Sequence, residues 1–389
     1  MMSGVSLPWE NDGRLFVVGN PENRRVRDLQ ATAERIGFYP PVCVSWREIL
    51  DDPPAGLARL RAAGMVRLDS PGENEDVLRH LVRLGGGCGG LAFGEIGFLP
   101  EQYRGFSLIL DRLSASGSKF QNSPADIKVM FDKWASGCRF AAACIPSPAT
   151  SLAPASAAPF RKFRSAFGTP GSGRLFLKPR FASSASGVCA YRWSHGREQL
   201  IAPVELHRNG RAVRLYNSLR VRCYTSLEDI TAILENLLPQ GMICQPWIRK
   251  ASLSDGQFDL RILVINGQSR HVVVRQSHYP MTNLHLGNRR GCLDEVQEAF
   301  GQRTVDNCRR LAEDAAACFP DSLYAGVDVL VPVRGDPLIC EINAFGDLLP
   351  NVTHRGESTC EAILRASLRH GNCADLAKRS ASHLLKCES

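Results

Sequence analysis

The sequence predicts a protein of α/β and α+β class with two or three domains, and three observations carry that expectation. An apolar run, Leu15-Phe16-Val17-Val18, ends at Gly19-Asn20 and leads into a helical stretch, which reads as a βα unit. Past residue 170 the chain turns strand-rich, with the hairpin signal Asn266-Gly267 set between two apolar runs. The length, 389 residues, leaves room for two or three domains of ~100–200 residues each.

Composition narrows the class further. Hydrophobic residues make up 44% and charged residues 22% of the chain, the profile of a globular rather than a disordered protein. The net charge of +8 is modest for this length and suits a basic cleft for an anionic ligand. Its arginine pairs (Arg24-Arg25, Arg289-Arg290, Arg309-Arg310) are scattered, with no basic block and no zinc finger, so nucleic acid is not an expected partner. The fourteen cysteines form no CxxC pair. Several (Cys43, Cys189, Cys223, Cys244, Cys340) sit in apolar stretches, as buried reduced thiols do. Met1 to Arg14 carries Glu10 and Asp12 and no apolar core of a signal peptide. No run of ~18 apolar residues is present to cross a membrane. The expected compartment is the cytoplasm, and the sequence leaves a homo-oligomer open.

Element by element, Leu15–Val18 is the first strand, and Pro21 suits the first turn of a helix running to about Ile36. Val42–Val44 is the next strand, with a helix from Trp46, and the glycine-rich run 84–90 reads as a flexible connection. A helix is expected from Ala125 to Trp134, followed by an exposed strand edge and linker over 141–159. Strands are expected at Leu175–Lys178, Val188–Trp193, Val213–Leu215, Met242–Gln245, Leu260–Ile265 and His271–Arg275. A helix fits Ser226–Leu238, opened by Ser226-x-x-Asp229 in the manner of a capping box. One long amphipathic helix fits Leu293–Cys318, and two last strands, Gly326–Val331 and Leu338–Ile342, flank a turn. These elements suggest domains at 1–115, 116–250 and 251–389.

Four constellations carry chemistry. Lys178 closes a strand before a loop of small residues, Ala182 to Gly187. Small side chains there let backbone N–H groups of Ser183, Ser184, Ser186 and Gly187 approach phosphate oxygens, while a lysine supplies a point charge. A Ser/Gly/Ala hairpin is also, simply, a hairpin. Asp328 lies inside an apolar strand, and Glu341 and Asn343 share one face of the following strand by period-two alternation. Three hard oxygen donors at neighbouring strand ends suit Mg²⁺, which takes few protein groups and completes its shell with water and phosphate. Asp259 and Arg261 share a strand face, and Arg275 lies on the partner strand. Two guanidiniums in one cleft hold phosphate or carboxylate oxygens and stabilise developing charge, although Asp259 and Arg261 alone form an ordinary ion pair. The segment from Thr282 to Gly291, with Asn283, His285 and Asn288, is a glycine-punctuated loop beside those arginines. His285 is a candidate base, though a loop histidine is more often a surface residue.

In combination these motifs resemble the ATP-grasp superfamily, in particular the branch of the ribosomal-protein glutamate ligase and the glutathione synthetases. Asn122-Ser123-Pro124 followed by Asp132-Lys133 is similar to the family's opening motif. Lys178 and the 182–187 loop resemble its second phosphate-contacting lysine and glycine-rich lid, and Gln245-Pro246-Trp247-Ile248 stands where the family has its adenine hinge. Asp259-x-Arg261, the Asn283–Gly291 loop, Asp328 and Glu341-x-Asn343 follow in the family's order, so the match covers roughly residues 119–355. Departures are Pro246 and Trp247 where a Glu follows the hinge Gln, and a single Gly187 in the lid. Thr282–Gly291 and 343–350 also resemble an uncharacterised bacterial ATP-grasp-like group, which supplies no substrate.

The resemblance implies an N-terminal Rossmann-like domain and two α+β subdomains enclosing ATP. It implies Lys133 and Lys178 on the phosphates, and Asp328, Glu341 and Asn343 on Mg²⁺. It places Gln245, Trp247 and Ile248 at the adenine, Asp259, Asn283 and Asn288 around the nucleotide, and Arg261 and Arg275 as the catalytic pair. The implied activity is carboxylate–amine ligation through an acyl phosphate, on an amino acid, a small peptide or a peptide side chain. A kinase-like or ester-forming enzyme is the next reading, and a non-catalytic ATP-binding module the third.

Overall fold

A computed structural model describes residues 14–370 except 89, 170, 211, 347 and 348. The expectations for Met1–Gly13, for the last nineteen positions and for Asp347-Leu348 lie outside the described residues.

Three sheets position everything that follows. The first is parallel, with Leu15–Gly19 between Val42–Ser45 and Met65–Leu68. Apart from Arg67 and Ser45 its strands are apolar, because helices cover both faces. The expected βα unit is present, but its helix, Arg24–Arg35, begins after Pro21, with Asn23 as N-cap accepting from the Arg25 N–H. Ser45 and Glu48 form a full capping box at Trp46–Asp51. The 84–90 segment is in part a packing device. A Cβ on Gly85 would stand 1.9 Å from the Glu101 carbonyl oxygen, and one on Gly105 2.0 Å from that of Leu81. The helices Glu75–Leu84 and Leu99–Ser114 therefore touch backbone to backbone there.

The second sheet has seven strands and runs in the order 151–152, 242–246, 172–179, 189–194, 197–209, 212–224, with Gly168–Thr169 paired on 172–179. The strand Arg197–Asn209 has no counterpart in the sequence reading, and Ala212–Tyr224 is 13 residues long where three were expected. Both belong to one hairpin with much exposed surface, so neither carries a clean hydrophobic alternation. The helix Leu227–Leu237 backs this sheet, capped by Ser226 as anticipated.

The third sheet has six strands and runs 289–291, 268–277, 256–265, 324–330, 338–343, with Ser252–Leu253 paired on 256–265. Asn266 (φ 50°) and Gly267 (φ 71°) form the expected hairpin turn, the positive-φ pair of a type I′ connection. The sheet is backed by two helices, Leu293–Phe300 and Gln302–Ala317, rather than the single one expected. Gly301 at φ 80° turns the chain between them, a conformation glycine adopts without a steric cost. The helix expected over 125–134 is also two, Pro124–Phe131 and Lys133–Ala142, because the extended backbone of Asp132 ends the first and caps the second. The 141–159 stretch supplies the edge strand Ser151–Leu152 and the start of a helix, Ala157–Phe163. The last helix, Thr359–His370, returns to the first sheet, where Cys360 and Leu364 join Leu15, Val17 and Met65 in one core.

No helix among the described residues is long and apolar enough to cross a membrane. Of the described cysteines, Cys189, Cys244, Cys308 and Cys360 are buried, whereas Cys223 is exposed on the 197–224 hairpin, against expectation.

Candidate active site

A cleft opens between the second and third sheets, enclosing about 830 Å³ of space when the solvent at its mouth is included. One wall is the second sheet with its 182–188 loop and the segment 245–250. The opposite wall is the third sheet with Pro280–Asn283.

On the second-sheet side, Lys178 ends its strand with the side chain buried and its Nζ 3.2 Å from Cys340 Sγ. Lys133 arrives from the break at Asp132. Asp132 accepts from the Trp134 and Ala135 N–H groups and takes both prongs of Arg180. That fixes the first turn of the helix and aims Lys133 inward. Its Nζ donates to the Ala182 carbonyl of the loop and lies 3.9 Å from Glu341 Oε2. Burial, with Lys178 adding repulsion, lowers the Lys133 ammonium from its ordinary range against the pull of Glu341. In the loop, Ser184 (φ 54°) and Ala185 (φ 62°) both take the left-handed conformation. This costs a non-glycine residue ~1–3 kcal/mol and clusters at ligand sites.

On the third-sheet side the strand register builds a ladder of charges. Asp259 faces Arg275 across one strand pair, and Arg261 faces Asp328 across another. Asp328 in turn faces Glu341, and Gly326 faces Asn343. The strands carrying Asp328 and Glu341 are antiparallel neighbours. Arg275 Nε donates to Asp259 Oδ1 at 2.7 Å and its Nη2 lies 3.2 Å from Asp328 Oδ2. Arg261 grips both oxygens of Asp328. Lys250 Nζ completes the set, 3.4 Å from Asp259 and 2.9 Å from Thr282 Oγ1.

The electrostatics follow from these contacts. Burial works to raise Asp259, but Arg275 and Lys250 prevail and hold it well below the usual carboxylate range. Glu341 is likewise held low, by Lys133 and Lys178 against its burial. Asp328 goes the other way: burial raises it despite Arg261 and Arg275, with Glu341 and Asp259 adding repulsion. Five cations (Lys133, Lys178, Lys250, Arg261, Arg275) surround three carboxylates, an excess of two positive charges, although Arg261 itself is not among the residues lining the cleft.

Mg²⁺ fits this donor set. Asp328 and Glu341 are registered partners one strand apart, and the under-compensated Asp328 would gain from a nearby cation. A carboxylate has about four lone-pair positions. The two guanidiniums occupy three on Asp328, leaving one, as a metal that takes one or two protein carboxylates needs. Among the described residues no group of three His, Cys, Asp or Glu side chains forms a closed metal cage, so any ion here would depend on phosphate and water ligands.

The other sequence candidates divide. Ser183, Ser184, Ser186, Gln245, Ile248 and Asn283 line the cleft. Trp247 stands outside the lining, its ring 5.4 Å from that of Phe176, which does line it. Gly187 faces away, where a Cβ would press on Pro179 at 2.9 Å. Asn288 latches the 281–288 turn through Ser277 and the Met281 and Asn283 carbonyls. Asn343 Nδ2 donates to the Gly326 carbonyl at 3.3 Å, and His285 is exposed. Sequence reasoning placed Thr282 in a loop beside the arginines but missed its bonds to Asp259 and Lys250, and it missed Lys250, Cys340 and the Asp132–Arg180 clamp as parts of the site. Lys250 follows the hinge motif by only two residues, but nothing local to it signals that it will meet Asp259.

No protein-family model and no curated protein sequence matches the chain. Solved structures match it in fold. D-cycloserine synthetase DcsG is 14% identical over 92% of this chain and 99% of its own, with a TM-score of 0.56. The ATP-grasp ligase PsnB, complexed with a phosphomimetic variant of its minimal precursor, Mg and ADP, is 15% identical over 92% and 99%, with a TM-score of 0.51. D-alanine–D-alanine ligase from Bacillus anthracis is 12% identical over 97% and 99%, with a TM-score of 0.50. The fold is the ATP-grasp fold, present over nearly the whole chain.

Proposed function

We propose that the protein is an ATP-dependent carboxylate–amine ligase that works through an acyl phosphate. The observation that carries this reading is the charge ladder Asp259–Arg275–Asp328–Arg261, set across one cleft from Lys133 and Lys178. PsnB, which shares the fold, is described with Mg and ADP bound, and ATP and Mg²⁺ are the cofactors assigned here.

The adenine is placed against Gln245, Ile248, Met281 and Leu330, the apolar end of the cleft. Lys133 and Lys178 hold the phosphates, and the N–H groups of the 183–186 loop close over them. Asp328 and Glu341, with Asn343 beside them, would hold Mg²⁺, which would neutralise charge on the phosphates. Arg275 and Arg261 are oriented by carboxylates on their inner sides. Arg275, which lines the cleft, is assigned to the charge that develops as a substrate carboxylate attacks the terminal phosphoryl group and to the oxyanion formed when an amine attacks the acyl phosphate, while Arg261 fixes Asp328 beside it. Such catalysis is mostly positioning and charge stabilisation.

The test is ADP release by the purified protein against pooled carboxylates and amines, with mass spectrometry of the products. Release that requires both pools, with an amide among the products, supports ligation. ADP with a stable phosphorylated product selects a kinase, and binding without turnover a non-catalytic module.

A further inference from the structure

A second cluster of charge lies away from the cleft, at the carboxyl edge of the first sheet, and its hydrogen-bonding capacity is largely unused. Arg67 is 1% exposed, yet its Nε and Nη1 have no hydrogen-bond partner. Its Nη2 comes only within 4.0 Å of Asp69 Oδ1, too far for a hydrogen bond. Asp69 Oδ1 accepts from the Ser70 N–H, but Oδ2 has no partner. The Tyr324 hydroxyl has none either, and the Arg67 guanidinium lies 5.1 Å from that ring's centre. Burial pushes the Tyr324 phenol up to about 12, so it stays a neutral donor. Buried polar groups are rarely left this way, and a buried cation without hydrogen bonds carries a heavy desolvation penalty. The edge itself is where open α/β sheets bind ligands.

The cluster is close to the chemistry. Tyr324 begins the strand that carries Asp328. A Cβ on Gly346 would meet the Tyr324 ring at 3.4 Å, and one on Gly326 would meet both Arg261 Nη1 at 3.0 Å and Gly346 Cα at 3.4 Å. Arg25, one-fifth exposed, is the outer member, 3.9 Å from Asp69 and donating to the Gly346 carbonyl. From Tyr324 to Asp328 is four strand residues, ~13 Å.

We propose that this knot anchors the free α-carboxylate of an extended, peptide-sized substrate on Arg67 and Tyr324, with an N–H of the same substrate given to Asp69. This rests on the ligase reading for the role of that substrate. Two arguments fix the class. The unused oxygen of Asp69 repels a phosphate dianion but accepts an amide or ammonium N–H beside a carboxylate. The ~13 Å to Asp328 equals three to four extended residues, longer than a single amino acid.

The test is calorimetric titration of the full chain with tetraglycine and with its C-terminal amide, with and without Mg²⁺ and a non-hydrolysable ATP analogue. The free acid is expected to bind at least ten-fold tighter than the amide. Arg67→Met should abolish that difference and Tyr324→Phe, which removes only a hydroxyl, should shrink it several-fold, both with unchanged affinity for the analogue. Equal binding of acid and amide, no binding of either, or undiminished discrimination in Tyr324→Phe overturns the proposal. Failure of the analogue to bind the wild type would defeat the ligase reading, while the nucleotide-free titration still decides the anchor.

Discussion

Replacing Arg275 with methionine removes a cation that touches two buried carboxylates, Asp259 at 2.7 Å and Asp328 at 3.2 Å. Breaking a buried pair by deleting one partner costs ~3–5 kcal/mol. Here Asp259 keeps Lys250 and Asp328 keeps Arg261, so neither charge is stranded and the lower end applies, ~3 kcal/mol, or roughly two orders of magnitude in the folding equilibrium. Urea denaturation followed by intrinsic fluorescence measures it. In a double-mutant cycle with Asp259→Asn, the two changes should fall short of additivity by ~1–3 kcal/mol, as contacting residues do. The pH dependence has a definite sign. Asp259 lies below its ordinary range in the fold, so its stabilising effect is complete above the unfolded carboxylate value near ~4 and is lost as pH falls through the folded value. In Arg275→Met the folded value rises toward the unfolded one, so that loss should be smaller and should be complete at a higher pH. Strict additivity in the cycle, or an unchanged acid limb, would refute the reasoning from the charge ladder.

Glu341→Gln should leave the fold intact and abolish turnover; undiminished ADP release in that variant would remove the metal assignment. Asp132→Ala deletes a cap worth ~1 kcal/mol and frees Arg180, so it should lower stability and raise the KM for ATP by disordering Lys133, both read by denaturation and steady-state kinetics. Gly105→Ala forces a Cβ onto the Leu81 carbonyl at 2.0 Å and should cost at least the ~1–3 kcal/mol of overpacking, seen as a lower melting temperature with KM unchanged. Burial lowers the His271 imidazole from its ordinary range. Stability should therefore be full above pH ~6.5 and fall as pH drops below it, and His271→Gln should flatten that limb of a stability–pH curve.

Where a signal was local, the sequence was readable. Leu15–Gly19 as a strand, Ser226 as a cap, Asn266-Gly267 as a hairpin turn and the pairing of Asp328 with Glu341 each follow from neighbours in the chain. What escaped depended on tertiary contacts or on single breaks in a pattern. The amphipathic rhythm of 293–318 runs through Gly301, so periodicity alone joined two helices. Asp132 looked like one more helical residue, although its side chain is what ends one helix and starts the next. The strands 197–209 and 212–224 are paired along most of their length yet exposed over much of it, so no apolar alternation announced them. Within the site, the residues that line the cleft from loops and strand ends were legible. Lys250 and the pairing of Thr282 were not, because their meeting with Asp259 is made by a fold that brings residues 250, 259 and 282 to one point. Arg67 gave no warning at all: in sequence it is an arginine in the strand Met65–Leu68, and only burial without partners marks it.

The most direct test of acyl-phosphate chemistry in this cleft follows an isotope. With the carboxylate substrate labelled by ¹⁸O in both oxygens, ligation through an acyl phosphate must carry one labelled oxygen into each phosphate released, detectable by the isotope shift in phosphorus NMR. The expected result is one ¹⁸O per phosphate in the wild type and no labelled phosphate from Glu341→Gln. Product formed with wholly unlabelled phosphate would contradict the mechanism.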